Sequence, residues 1–75
     1  MVDLVECHSE IEYPDRPVAL YWQGQRLEIT EILAGWRTPS GKSFRVLTRD
    51  NQVFELSYQE TTAEWRINYI RRMDV

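Results

Sequence analysis

Apolar side chains alternate with polar ones along most of this chain, and short turn signals separate the alternating runs. The alternation is clearest in residues 18–22, 44–49, 53–58 and 65–70. A period of two residues is that of a β-strand, in which successive side chains point to opposite faces of a sheet. The sequence therefore predicts an all-β domain in which each strand buries one face and exposes the other.

Turn signals divide the chain into an antiparallel meander of about five strands. Pro14-Asp15-Arg16-Pro17 ends a first extended run around residues 5–13, because each Pro lacks an N–H and pushes the preceding residue to extended geometry. Gln23-Gly24-Gln25 predicts a tight hairpin turn, since Gly accepts a positive φ. Two further turns are predicted at Thr38-Pro39-Ser40-Gly41 and at Asp50-Asn51.

One break in the alternation predicts where the sheet bends. Leu27 and Ile29 share a face of the second hairpin strand, but Ile32 and Leu33 are one residue out of phase. Such a break indicates a β-bulge or a short helical turn. A bent meander of this size would most economically close into a small SH3-like barrel, because closure removes the exposed edges of an open sheet.

The length and composition indicate one small domain. The chain has 75 residues, of which 43% are hydrophobic, so residues 1–75 are assigned to a single domain with one core. The acidic residues 1–10 are predicted to be partly flexible. We expect the protein to be a monomer.

Three features of the sequence point to the cytoplasm. The single Cys cannot form an internal disulfide, which indicates a reducing compartment. No run approaches the roughly 20 apolar residues of a membrane span. Residues 1–15 carry five acids and no Lys or Arg, unlike a signal peptide. We therefore predict a cytoplasmic protein with no membrane partner.

The charge balance argues against a protein that coats nucleic acid. The formal net charge is −3, whereas electrostatic binding to phosphates depends on Lys and Arg that release counterions. The acids are most concentrated in residues 1–15, and residues 16–75 hold nine basic and seven acidic side chains. Eight of the nine basic side chains are Arg, which favours specific polar contacts and stacking on aromatic rings over diffuse attraction.

The sequence offers little for catalysis or metal binding. Cys7 and His8 are the only Cys and the only His, and neighbours on a strand point to opposite faces, which prevents a nucleophile–base dyad. A structural zinc site needs four nitrogen or sulfur ligands. Glu6, Glu10 and Glu12 are interpreted as a solvated acidic face, and no glycine-rich phosphate loop is present. We therefore predict no enzyme activity, no metal and no cofactor.

The three tryptophans are predicted to have different environments. Trp22 and Trp65 are in phase with aliphatic neighbours and are predicted to lie in the core. Trp36 lies beside Gly35 and Arg37 at a strand end, and it is predicted to be partly exposed.

Arginine and aromatic residues form the candidate binding surface. Arg45, Arg49 and Arg66 are predicted to share the sheet face opposite the core, near Tyr21, and Trp36 is added as a partly exposed aromatic. Such a surface could hold a carboxylate-rich peptide or stack unpaired bases. The alternative interpretation is ordinary surface pairing of a cross-strand arginine with Glu55.

Ordered Trp and Gly landmarks give the chain a resemblance to a known family. They resemble a small bacterial domain of unknown function that occurs alone and near the C-terminus of ImuB-like proteins, which are relatives of the Y-family translesion DNA polymerases. The pattern is a Pro followed by an aromatic strand, Trp-x-Gly, a Trp-Arg segment, an Arg-Val strand, a Glu-Leu strand and a final Trp strand. It is carried by residues 16–27, 32–37, 44–46, 53–56 and 65–67.

The resemblance covers roughly residues 11–75 and departs from the family in two ways. Leu27 stands where an aromatic residue is usual, and the polymerase-like region of the fused proteins is absent. The resemblance brings no catalytic residues with it. It implies a non-catalytic interaction module that binds protein or peptide in a bacterial DNA-damage or repair context. Single-stranded nucleic-acid binding is the alternative function, and an uncharacterised enzyme is the third.

Overall fold

The computed structural model describes residues 5–8 and 16–73, which form one antiparallel meander of six strands. The strands are β1 (Val5–His8), β2 (Arg16–Trp22), β3 (Gln25–Thr38), β4 (Gly41–Thr48), β5 (Gln52–Gln59) and β6 (Glu64–Arg72). The sheet curls into a half-barrel that is consistent with a small SH3-like barrel, and the all-β prediction is confirmed. The count is six because the first extended run pairs with β2 as a strand of its own.

The part of the chain predicted to be flexible is described only at residues 5–8, which form β1. Positions 1–4 and 9–15, which include most of the first predicted run, lie outside the described residues. No helix within the described part of the chain is long and apolar enough to cross a membrane.

The predicted turns connect successive strands. Gln23 and Gly24 both have a positive φ, of 50° and 79°, which gives the two-residue turn that suits the twist of a hairpin. Asn51 has a φ of 64°. Its N–H donates to the carbonyl of Thr48 at 3.0 Å, an ordinary hydrogen-bond distance. The side-chain oxygen of Thr38 accepts the N–H of Gly41 at 3.0 Å and so fixes the β3–β4 turn.

Two β-bulges in β3 produce the bend. Ile29 is opposite Thr48 and Glu31 is opposite Leu47, so Thr30 is an additional residue in β3. Leu33 is a second additional residue, between the pairs that β3 makes with Val46 and Arg45 of β4. The predicted phase break is therefore a bulge, and the helical alternative was wrong. Because bulges bend and twist a strand, β3 can pair with β2 at one end and with β4 at the other.

The core lies on the inner face of the curled sheet. Five buried side chains from β1, β2, β4 and β5 form it, namely Val5, Leu20, Val46, Phe54 and Leu56. Phe54 is fully buried, and its ring packs edge-on against the rings of Trp22 and Tyr69, with centroids 5.4 and 5.5 Å away.

Trp22 and Trp65 pack against this core but are only partly buried. Trp65 stacks obliquely on Phe44 and Tyr58, with ring centroids 6.3 and 5.0 Å away. Phe54 thus occupies the buried centre of the core face, and the two tryptophans pack around it in partly exposed positions.

Candidate ligand-binding surface

The five predicted binding residues do not form one surface. Trp36 and Arg45 lie together on the outer face, which is the face of the sheet opposite the core. Arg66 lies on the same face two strands away, on β6. Tyr21 and Arg49 belong to a separate group of charged residues around β1, β2 and β3.

Trp36 and Arg45 are joined by a cation–π contact. In the β3–β4 register Gly35 is opposite Phe44 and Trp36 is opposite Ser43, which turns the indole away from the core. The guanidinium carbon of Arg45 lies 5.8 Å from the centroid of the Trp36 ring. Trp36 remains 39% exposed, so the prediction of partial exposure is confirmed.

Glu55 holds the other side of the Arg45 guanidinium. Arg45 and Glu55 are directly opposite in the β4–β5 register, and Arg45 Nη2 donates to Glu55 Oε1 at 3.3 Å. The cross-strand ion pair considered as the alternative interpretation is therefore present. It also fixes the guanidinium between a carboxylate and an exposed indole, so the three residues form a unit, the Trp36 cluster (Trp36, Arg45 and Glu55).

Two hydroxyl groups continue the outer face from the Trp36 cluster towards β6. Ser43 and Ser57 are opposite each other, and their hydroxyl oxygens lie 3.1 Å apart. Ser57 is in turn opposite Arg66, which is exposed. Among the described residues no carboxylate forms an ion pair with Arg66. The outer face therefore runs from an aromatic–arginine pair, across small polar side chains, to an exposed arginine.

Tyr21 and Arg49 are engaged in a polar network. The Tyr21 hydroxyl donates to Glu6 Oε2 at 2.7 Å, and Arg26 Nε donates to the same oxygen at 2.6 Å. Arg26 also lies 3.7 Å from Glu28, whose second oxygen is 3.2 Å from Arg49 Nη1. Tyr21 and Arg49 were predicted to lie with Arg45. The structure instead places each of them beside a carboxylate of this network, Tyr21 beside Glu6 and Arg49 beside Glu28.

Sequence reasoning missed three members of this network: Glu6, Arg26 and Glu28. The turn at Gln23-Gly24 fixes the β2–β3 register and places Arg26 opposite Tyr21, so this pair was accessible from the sequence. The position of Glu6 could not be predicted in this way, because it depends on the pairing of β1 with β2 across a long connection.

An open depression of about 370 Å³ adjoins the network. It is lined by Arg26, Leu27, Glu28, Arg49 and Asp50. Two arginines and two carboxylates compensate each other there, and Arg49 is already paired with Glu28. The depression therefore has no excess of positive charge with which to hold an anion.

The network shifts the pKa of three of its members, and the hydrogen bond to Glu6 is the main reason that the pKa of the Arg26 guanidinium is raised. Hydrogen bonds from Arg26 and then from Tyr21 lower the pKa of the Glu6 carboxyl. The same hydrogen bond to Glu6 is the main reason that the pKa of the Tyr21 phenol is raised, and burial adds to it. Glu6 is accordingly a carboxylate, and Tyr21 a neutral donor, at neutral pH.

Acid is expected to destabilise the protein partly through Glu6. Because the pKa of Glu6 is below its ordinary value of 4.5 in the folded protein, its stabilising effect is present above that pH and is lost as the pH falls through the lower folded value. Glu6→Gln should therefore flatten the fall in unfolding free energy below about pH 4.5. Urea unfolding measured across this pH range checks the expectation.

Asp50 provides the matched comparison. Hydrogen bonds from Thr48 and Gln52 lower its pKa, with Thr48 as the larger cause, so it contributes to the same acid destabilisation. Asp50→Asn should remove a separate part of the pH dependence, and the two substitutions together should remove more than either alone. An unchanged pH dependence in Glu6→Gln would show that the network does not persist in solution.

The residues considered for chemistry are only partly described. Cys7 is exposed and is followed directly by His8 in β1. Glu10 and Glu12 lie outside the described residues. Within the described ranges, no group of three or more His, Cys, Asp and Glu side chains is placed to hold a metal ion. The absence of enzyme activity stays a prediction.

Comparisons with known proteins give no match to a family model, to a curated protein or to a solved structure. The resemblance to the domain found in ImuB-like proteins therefore stays a prediction from the sequence landmarks.

Proposed function

We propose that this protein is a non-catalytic interaction module that binds a protein or peptide through its outer face, with Trp36 as the anchor. The observation that carries the proposal is the Trp36 cluster. Its indole is 39% exposed on a regular sheet face and is held by the guanidinium of Arg45. Trp and Arg are the residues most enriched among those that dominate binding energy at protein interfaces.

The surroundings of Trp36 suit a peptide. Small hydroxyl side chains of Ser43 and Ser57 lie beside it, and Arg66 stands beyond them. A ligand could therefore cover the indole with an apolar side chain and direct a carboxylate to Arg66. Because Glu55 holds Arg45 in place, little side-chain freedom has to be lost when a ligand contacts that guanidinium.

Single-stranded nucleic acid is the second candidate for the same face. An exposed indole next to an arginine can stack a base, which is what favours this reading. The ion pair on this face opposes it, because Arg45 already contacts Glu55, and this carboxylate would repel phosphate. We therefore rank peptide binding first.

The biological setting is proposed from the sequence resemblance. A bacterial cytoplasmic protein that acts as a monomer in DNA-damage or repair assemblies would need a small domain that recruits a partner without catalysing a reaction. An exposed aromatic–arginine surface is compatible with such a role.

The test is a titration of the ¹⁵N-labelled protein, followed by NMR. Two ligands are compared, a capped acidic peptide containing aliphatic residues and a single-stranded oligodeoxythymidine. Peptide binding should shift the amides of residues 34–36 and 43–47. Trp36→Ala should weaken it by about 2 kcal/mol or more, as for a central anchor. Val18→Ala, which truncates another exposed apolar residue, should have little effect.

The salt dependence of binding separates the two candidates. Nucleic-acid binding should weaken steeply with salt, and each phosphate-contacting arginine that is removed should reduce the slope by about 0.7. Peptide binding should depend on Trp36 and only weakly on salt. The proposal is wrong if neither ligand shifts any amide, and the second candidate replaces it if only the oligonucleotide does.

A further inference from the structure

We propose that the β6 edge of the sheet binds an extended acidic segment of a partner protein, which adds to the sheet as a seventh strand. The inference rests on the proposed function, because it names the chemistry and the conformation of the peptide that the protein binds. It concerns the β6 edge rather than the Trp36 cluster. Arg66 is common to both proposals, so substitutions of Trp36 on one side and of Arg71 and Arg72 on the other test them separately.

The backbone of β6 offers a row of hydrogen-bonding groups. β6 spans Glu64–Arg72, and within the described ranges it pairs only with β5. In an antiparallel sheet, alternate residues of an edge strand direct their N–H and C=O groups away from the neighbouring strand. Ile70 is a bulge, because the β5–β6 register passes from Phe54–Tyr69 directly to Val53–Arg71. The regularly paired part of β6 is therefore residues 64–69, about 20 Å long.

The charge of this edge is positive in a protein whose net charge is −3. β6 carries three arginines, Arg66, Arg71 and Arg72, and one acidic residue, Glu64. All four side chains are exposed, and none of the three arginines lies within ion-pair distance of a described carboxylate. Arg72 is near enough to Asp50 for its charge to help lower the pKa of that carboxyl. The arginines at positions 26, 37, 45 and 49 are each paired with a carboxylate, whereas Arg16 of β2 forms no ion pair with a described residue. The β6 edge thus holds three of the four arginines that have no ion-pair partner in the described part of the chain.

Exposed apolar side chains are concentrated at the same edge. Tyr69, Ile70 and Met73 are 45%, 42% and 41% exposed, and they are three of the six large exposed hydrophobic residues in the described chain. A strand in which acidic residues alternate with apolar ones could pair its carboxylates with the arginines while covering these side chains.

A second copy of this chain fits the edge less well. Pairing β6 with its own symmetry mate can place Glu64 opposite Arg72, but it brings six arginines and two glutamates to one seam, a formal net charge of +4. Such an excess of like charge in one seam is repulsive. The charge therefore selects an acidic occupant.

The test uses the full ¹⁵N-labelled chain and a capped peptide in which Glu alternates with Val. Strand addition should shift the amides of residues 64–69 and slow hydrogen exchange at alternate positions among them. A contact through side chains alone would not slow that exchange. The same peptide with Pro at its central Val should not bind, because Pro cannot complete the hydrogen-bond ladder.

Charge reversal provides the variant test. Arg71→Glu combined with Arg72→Glu should weaken peptide binding by about tenfold or more. Arg16→Glu, at the start of β2 and four strands away in the sheet order, is the matched control and should have little effect. Thermal unfolding of each variant confirms that it is folded, and the exchange measurement on the unaltered protein tests the proposal independently.

The outcomes separate this inference from the proposed function. Shifts at 34–36 and 43–47 without protection at 64–69 would leave the Trp36 site standing and overturn strand addition. Protection at 64–69 that survives Trp36→Ala supports strand addition and removes Trp36 as the anchor. Dimerisation through β6 without peptide, detected by sedimentation, would show that a second copy is the occupant and overturn the inference. No shift with any peptide would overturn both.

Discussion

Replacement of Phe54 by Ala is expected to cost about 3–5 kcal/mol of unfolding free energy and to leave a large fraction of the protein unfolded at room temperature. Phe54 is fully buried, and its ring contacts Trp22 and Tyr69 across the inner face. Removing it loses the burial of the ring and opens a cavity beside the other fully buried core side chains, Leu20, Val46 and Leu56. A domain of this size has little stability to spare.

Two controls define the measurement, which is urea unfolding followed by far-ultraviolet circular dichroism. Phe54→Leu retains much of the apolar volume and should cost less than Phe54→Ala. Leu33→Ala truncates a side chain that is 40% exposed, and it should change the unfolding free energy by only a few tenths of a kcal/mol. If Phe54→Ala is as stable as Leu33→Ala, the core is not where the structure places it.

The strand order followed from local signals in the sequence. Alternation identified the strands, and Gly24, Asn51 and the Pro39 turn identified how they connect. The phase break between Ile29 and Ile32 located the bend, because a one-residue slip moves every following side chain to the other face. These signals lie within a few residues of the structure they specify, which is why they could be read without a tertiary context.

The depth of burial could not be predicted in the same way. Alternation assigns a side chain to a face but does not say how far it lies from the open ends of a curled sheet. Trp22 and Trp65 are on the core face as predicted, yet the fully buried ring is Phe54. It occupies the centre because residues from β2 and β6 converge on it once the sheet has curled.

A related reason explains why only part of the candidate surface could be predicted. Alternation placed Arg45 and Arg66 on the outer face, but Trp36 follows two bulges, and its position depends on both. The bulge at Leu33 brings Trp36 opposite Ser43, and its ring then contacts Arg45. Tyr21 and Arg49 were grouped with these residues from their face alone, whereas ion pairing with Glu6 and Glu28 depends on strand order and curvature.

Replacement of Gly41 by Ala is expected to destabilise the protein by about 3 kcal/mol or more, although the added group is a single methyl. Gly41 is buried at the start of β4, opposite Gln59 of β5. A Cβ atom at this position would lie 1.9 Å from the carbonyl oxygen of Tyr58. Because that oxygen belongs to the backbone of β5, it cannot move aside as the end of a flexible side chain could.

The clash would open the start of the β4–β5 ladder. It would also disturb the neighbouring hydrogen bond from the Glu60 N–H to the Ser40 carbonyl, which is 2.8 Å long. Gly35→Ala is the matched control, since a Cβ there would lie 3.4 Å from the Phe44 side chain, an ordinary contact. Urea unfolding should therefore show a large loss for Gly41→Ala and a small change for Gly35→Ala. Equal stabilities of the two variants would mean that β4 and β5 do not approach each other as closely at Gly41 as the structure shows.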